Sequence, residues 1–178
     1  MTPSTIIFAM VILSATNLRE VQPMQATYDL AHVSNIFRFE VAAPLSRMAP
    51  LFGPEAERNW AGKHWNPVFL YPQLAHDTQG AVFTVQHGSR NSVWVNTLFD
   101  LPAGRMQYVS FIPDVLVTTV DVKLTPIGES HTSVEVTYVR TALQPSANDD
   151  VRALGSSDHD SGPQWQEAIE THLGLNRK

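Results

Sequence analysis

The residues of this chain best equipped for chemistry are scattered aromatic and titratable side chains, with no recognisable catalytic cassette. Histidine as a residue type ionises near neutral pH, which makes His64 and His87 candidates for general acid–base roles. Tyr108 and Tyr138 can donate or accept a proton, and Arg140 can meet an anion. No Gly-rich phosphate loop, paired-histidine metalloprotease helix, nucleophile elbow or calcium loop is present. Cysteine is absent, which excludes disulfides, thiolate catalysis and cysteine zinc sites. Asp158-His159-Asp160 has the residue types of a metal site, but it lies among Ser and Gly and reads as a solvated loop. No metal and no cofactor is expected, and no catalytic residue is assigned.

The elements that must hold these residues are strands. Between residues 81 and 143 the chain runs through apolar, β-branched segments cut by turn residues: 81–85, 93–95, 106–112, 115–124 and 134–139. The breaks are His87-Gly88-Ser89-Arg90-Asn91, Leu101-Pro102-Ala103-Gly104, Pro113-Asp114 and Pro126-Ile127-Gly128-Glu129. Connections this short join antiparallel neighbours, because a parallel crossover needs a dozen or more residues. An antiparallel meander follows. Residues 33–42 alternate, with Phe37, Phe39 and Val41 on one face and Arg38 and Glu40 on the other, as in a half-buried first strand. Short helices are expected at 45–52 and 55–61, and a further strand at 68–71. Residues 144–162 read as a polar loop with one helical turn at 149–154. Trp165, Ala168, Ile169, His172 and Leu173 then make one apolar face of a terminal helix about 17 Å long. Ser161 and Gln164 have capping-box spacing at its start, and Gly174 ends it.

Alternation assigns the faces. Val134, Val136 and Tyr138 point inward against Ser133, Glu135 and Thr137, and Leu116, Val120, Val122 and Leu124 point inward against Asp121 and Lys123. Phe83, Val85 and His87 share a face, as do Met106 and Tyr108, though Val109 and Phe111 leave that strand's inward side ambiguous, and Trp94 between two valines is ambiguous too. Trp60, His64, Trp65 and Phe69 belong at the mouth of the resulting concavity, and Trp165 and Ile169 on its lid. The candidate cavity is thus Trp60, His64, Trp65, Phe69, Phe83, His87, Trp94, Tyr108, Val120, Val136, Tyr138, Arg140, Trp165 and Ile169. Each has a plain alternative: the aromatics fill a core, the histidines sit in loops, and Arg140 faces solvent at a strand end.

The whole pattern is a strand, two short helices, six strands and a terminal helix. In that order it resembles the START-like, SRPBCC or helix-grip superfamily, which includes polyketide cyclase-like, lipid-transfer and pollen-allergen-type proteins. The stretches that carry the resemblance are Phe37-Arg38-Phe39-Glu40-Val41-Ala42-Ala43-Pro44, Trp60 through Trp65, Thr132-Ser133-Val134-Glu135-Val136-Thr137-Tyr138, and the helix opened by Trp165. It implies an α+β helix-grip fold over residues 33–174: a curved seven-stranded antiparallel sheet, two short helices after the first strand, and a terminal helix over the concave face. This chain differs in its short final helix after a long polar loop. The resemblance also implies a cavity between sheet and helix. A helix of about three turns is too short to fill the curl, which leaves ligand-sized space opening near 60–65 and 144–162.

Three functions remain open on this reading. The first is binding of a small apolar or amphipathic molecule. The second is a cyclase or dehydratase-type enzyme using a cavity His or Tyr. The third is a ligand-free interaction domain. The chain has 12 Lys and Arg against 17 Asp and Glu, with no basic stripe, so nucleic acid is not an expected partner. No signal for an oligomeric state is present.

Residues 1–26 stand apart as a signal peptide or N-terminal extension. Ile6-Ile7-Phe8-Ala9-Met10-Val11-Ile12-Leu13 is too short to span a bilayer but has the length of a signal-peptide core, with small residues following. The alternatives are Met24 as the true initiator or a stray apolar extension. The chain is exported, to the periplasm or the medium, if residues 1–15 act as a signal, and cytoplasmic otherwise. Export predicts a mature protein beginning near Thr16 or Thr27. An intact mass retaining Met1, in a soluble cytoplasmic fraction, would end that expectation.

Overall fold

The computed structural model describes residues 29–175; the N-terminal segment on which the export expectation rests lies outside them. Seven antiparallel strands form one sheet: β1 (His32–Val41), β2 (Val68–Tyr71), β3 (Val82–His87), β4 (Arg90–Asp100), β5 (Arg105–Ile112), β6 (Leu116–Ile127) and β7 (His131–Ala142). Their order across the sheet is β1-β7-β6-β5-β4-β3-β2. The meander from β2 to β7 is thus built from sequential hairpins, and β1 pairs with β7 in register Phe37 to Val136. The first two strands lie at opposite edges. The chain crosses between them through α1 (Leu45–Met48) and two 3-10 turns, Ala49–Leu51 and Ala56–Asn59. This is the helix-grip fold, with the curved sheet gripping a C-terminal helix.

Alternation places the core as expected. Phe37, Phe39 and Val41 of β1, Leu116, Val120, Val122 and Leu124 of β6, and Val134 and Val136 of β7 are all buried. So are Met106 and Tyr108, which resolves the side of β5 that faces in. In β4 a bulge between Asn96 and Leu98 switches the parity. Asn96 pairs inward with Tyr108, and three residues later Phe99 pairs inward with Met106.

Three expectations are corrected. The break at 126–129 begins later, since β6 continues through Pro126 to Ile127. Pro126 lies beyond the end of β5, where one side of β6 is an open edge that tolerates a missing N–H. The polar stretch 144–162 is not a loop with one helical turn. A 3-10 turn (Pro145–Ala147) leads into α2 (Asn148–Ser157), a second 3-10 turn (Asp158–Asp160), and α3 (Ser161–His172), a continuous helical run of 28 residues. The Ser161–Gln164 capping box does not form, because Asp160 is itself helical (φ −77°, ψ −13°) and no chain end needs capping there. Gly174 does end the helix, at φ +69°, with Leu175 N–H returning to Glu170 O at 2.8 Å.

The reason the polar stretch is helical lies in what it touches. Ala147, Val151, Gly155, Asp158, Gly162 and Ile169 are buried and recur at spacings of three or four residues, with one of seven, along one stripe. Ala147 and Val151 pack with Ala31, Leu116 and Ala142 in a small satellite core. A Cβ on Gly155 would stand 3.1 Å from Val33 Cγ2, and one on Gly162 would stand 3.4 Å from Phe37 Cδ2. The glycines therefore let the helix lie close against β1. Between them Asp158, read above as a solvated loop residue, is buried. It accepts hydrogen bonds from Arg140 and from Asn35 Nδ2 (3.2 Å). The adjacent His159 and Asp160 are exposed and pair with each other at 3.0 Å. No helix among the described residues is long and apolar enough to cross a membrane.

Breaking a buried pair from one side leaves an uncompensated charge, at a cost of roughly 3–5 kcal/mol. Asp158→Ala should lower unfolding stability by about that amount, and adding Arg140→Met should restore much of it. Urea titration of the two variants checks this; an unchanged midpoint for Asp158→Ala would show that the helix is not pinned at this point.

Candidate functional site

Because directly paired residues share a face, the sheet register arranges the inner wall in rows. One row is Trp94–Ser110–Thr118–Arg140, the next Asn96–Tyr108–Val120–Tyr138–Asn35, and the third Phe99–Met106–Val122–Val136–Phe37. Polarity falls from the first to the third. The helix lies over the β1–β7 side, held there by its glycines and by Asp158, and α3 presents Trp165 and Ala168 toward the gap. Opposite, the 3-10 turn Ala56–Asn59 supplies Glu57 and Trp60. A cavity of about 720 Å³ remains between these walls, within the ordinary range for small-molecule sites.

Of the residues expected at the cavity, Trp60, Trp65, His87, Trp94, Tyr108, Val120, Tyr138, Arg140 and Trp165 line it. The others lie elsewhere. His64 is exposed on the loop before β2. Phe83 is fully buried and Phe69 half-buried, and they continue the inner face beside Trp94 as a stack outside the cavity: Phe69 on Phe83 at 5.6 Å and Phe83 on Trp94 at 5.9 Å between ring centres. Val136 and Ile169 belong to the close-packed core, where Ile169 anchors α3. Trp94, ambiguous in sequence, faces inward, with Trp65 edge-on at 5.5 Å and its indole N–H donating to Ser92 Oγ. Trp60 meets Trp165 edge-on at 5.3 Å and donates its N–H to Leu51 O.

Arg140 faces in, but its charge is committed. It pairs with Asp158 and lies 4.3 Å over the Tyr138 ring. At the mouth, Arg90 pairs with Asp150 of α2 at 2.9 Å, linking the β3–β4 hairpin tip to the helix across the opening. His87 sits exposed on the same rim, with desolvation lowering its pKa.

Glu57 was not singled out in the sequence. The sequence places it only within the short helix expected at 55–61. In a 3-10 turn, residues i and i+3 eclipse, so Glu57 projects on the same side as Trp60. It is 8% exposed, lines the cavity, and makes no side-chain hydrogen bond or ion pair with any described residue. Burial pushes its pKa well above the ordinary 4.5, and the charge of Asp77 pushes it the same way. Asp77 itself accepts the backbone N–H groups of Glu55 (2.7 Å) and Ala56 (3.0 Å), capping the turn that carries Glu57. Gly53 makes room for it, since a Cβ there would stand 2.2 Å from Asp77 Cγ.

The remaining polar groups on the wall differ in how they are satisfied. Tyr108 donates its hydroxyl to Phe52 O, and burial, then Glu57, raises its pKa. Tyr138 makes no hydrogen bond through its hydroxyl with the described residues; burial raises its pKa, and Arg140 opposes the rise. Ser110 and Thr118, paired across β5 and β6, also present buried hydroxyls to the cavity. Thr118 occupies an inward position that strand alternation alone identifies. Among the described residues no group of three or more acidic or histidine side chains is placed to hold a metal ion.

No protein-family model matches the chain, and no curated protein matches it in sequence. Solved structures do. Norcoclaurine synthase from Thalictrum flavum aligns at a TM-score of 0.63 with 12% identity, covering 96% of this chain and 100% of that one. A solution structure from Thermobifida fusca aligns at 0.60 with 20% identity, covering 81% and 95%. An uncharacterised protein from Rhizobium leguminosarum aligns at 0.58 with 14% identity, covering 82% and 96%. At these identities the likeness is one of fold.

The raised pKa of Glu57 carries a sign for stability. A protonated Glu57 suits the folded state, so its contribution is intact below pH 4.5 and is lost as pH rises toward the folded-state value. Glu57→Gln removes the dependence. Melting curves from pH 4.5 to 8.5 should show the Gln variant gaining on the wild type as pH rises; a constant gap would mean that Glu57 is not held in its neutral form.

Proposed function

We propose that this protein binds a small amphipathic organic molecule between its curved sheet and its C-terminal helix. The observation that carries this reading is the 720 Å³ cavity with graded walls. Its deeper part is apolar and aromatic, built from Val120, Val122, Trp60, Trp165 and Ala168. Its upper part carries Ser110, Thr118, Arg140 and Gln164, with His87 and Arg90 at the rim. An apolar body would fill the first region, with affinity rising by roughly 25 cal/mol per Å² buried before the costs of association. Hydroxyls without protein partners would orient a polar end.

Two features favour binding over the alternatives. An interaction domain with a filled core has no use for a space that destabilises it. Convergence of two proton-transfer groups within hydrogen-bond reach would favour an acid–base enzyme, and among the described residues no two of Glu57, His87, Tyr108 and Tyr138 hydrogen-bond to each other. A synthase shares the fold, so catalysis on a bound molecule is the second reading.

A neutral dye such as N-phenyl-1-naphthylamine should fluoresce on the native protein. Val120→Phe, which grows into the space, should weaken that binding by about tenfold or more while leaving the melting temperature unchanged or higher. A dye that ignores the folded wild type, or a Val120→Phe chain that fails to fold, would show the space to be filled and the reading wrong.

A further inference from the structure

We propose that the ligand carries a cationic amine, and that Glu57 is its counter-ion; this rests on the small-molecule reading above and narrows it to organic ammonium compounds with an apolar, aromatic-sized body. The argument begins from the charges on the cavity wall. Both arginines there are already matched, Arg140 by Asp158 and Arg90 by Asp150. Glu57 alone among the ionisable wall groups is an acid without a counter-charge, and it is more than nine-tenths buried. A carboxyl in that position is costly unless something pairs with it. Asp77 lies near enough to make the region more negative still.

The surroundings suit a cation and not an anion. The Trp60 ring projects beside Glu57 from the same turn and meets Trp165 at 5.3 Å. Tyr108 and Tyr138 both lie within the electrostatic reach of Glu57. Aromatic faces attract ammonium groups, most strongly where water is excluded. The Tyr138 ring already holds one cation, the Arg140 guanidinium, 4.3 Å from its centre. An ammonium entering this end would meet a carboxylate and π-faces together, while its apolar body would lie over Val120 and Val122.

Binding would then be linked to protons. In the empty cavity burial favours the neutral acid, so capture of an ammonium must expel the Glu57 proton at low pH and need not at higher pH. Affinity for an amine should rise with pH until the amine itself loses its charge. The other groups facing Glu57 do not imitate this. Tyr108 and Tyr138 are raised and stay neutral. Asp77 is also raised by burial, but it does not line the cavity, its carboxylate already accepts the Glu55 and Ala56 N–H groups, and Glu57→Gln leaves its titration in place, so the variant separates the two. On the outer side of that turn Glu55 and Arg58 pair with each other. The face of α3 toward the cavity offers Gln164, Trp165 and Ala168, none of which titrates. His87 at the rim titrates, but it is met by any probe that enters.

The test compares 2-(2-naphthyl)ethylamine with its neutral counterpart 2-(2-naphthyl)ethanol on the full chain, by calorimetry between pH 5 and 8. The amine should bind about tenfold or more tighter than the alcohol at pH 8. That ratio should shrink as pH falls, with proton release seen as a buffer-dependent enthalpy, and in Glu57→Gln at pH 8 it should fall toward one. Equal affinities for both probes at every pH would overturn the amine assignment and leave the binding cavity standing. A ratio that survives Glu57→Gln would overturn the role of Glu57. Failure of both probes to bind would overturn this proposal together with the cavity reading. The wild-type pH series decides the matter even if the Gln variant does not fold.

Discussion

The buried pair between Arg140 and Asp158 sets where the C-terminal helix crosses the sheet, and most of the architecture follows from that position. Arg140 is on β7, one strand in from the β1 edge, and Asp158 sits in a 3-10 turn between two α-helical segments. A buried carboxylate and guanidinium tolerate little separation, because each depends on the other for its solvation. The Asn35 amide adds a second donor from β1, and Gly155 and Gly162 remove the side chains that would hold the helix off that strand. The helix is therefore drawn to the β1–β7 side. The wall formed by β4, β5 and β6 is left uncovered, and the cavity is the space between.

That space persists because the side chains facing it are braced by their neighbours. Trp94 is flanked by Phe83 and Phe69 in a stack, and Trp60 is fixed by its N–H to Leu51 O and by its edge contact with Trp165. Collapse onto the gap would have to break these contacts. The turn that carries Glu57 is held in the same way: Gly53 leaves room for Asp77, and Asp77 caps the turn. The result is a braced wall that carries one acidic side chain with no hydrogen-bond partner among the described residues.

The strands, their faces and the meander could be read from alternation and turn chemistry, because a half-buried antiparallel strand writes its burial into every second residue. The inward positions of Val120, Val122, Val134, Val136 and Tyr138 follow from that rule alone, and the fold class follows from the order of elements. The terminal helix from Trp165 to Leu173 was legible for a similar reason, its apolar side chains repeating every three or four residues. Its N-terminal extension was not. The buried stripe there reads Ala147, Val151, Gly155, Asp158, Gly162, with residues too small or too polar to register as an apolar face.

For β1, β6 and β7 the inward side chains were fixed by sequence alone, since strand periodicity is local and needs no partner to express it; β4 and β5, whose apolar residues occupy both faces, were not. Tertiary structure alone decided which of them meet empty space. His64, Phe69, Phe83, Val136 and Ile169 were indistinguishable in pattern from the residues that line the cavity, and they differ only in what packs against them. Glu57 gained its position from the short turn that also carries Trp60, and from Asp77, twenty residues away, which caps that turn. Asp158 became a core residue because Arg140, eighteen residues earlier on a strand, needed a counter-charge. A buried charge is placed by its partner, and no local pattern records a partner that is brought close only when the chain folds.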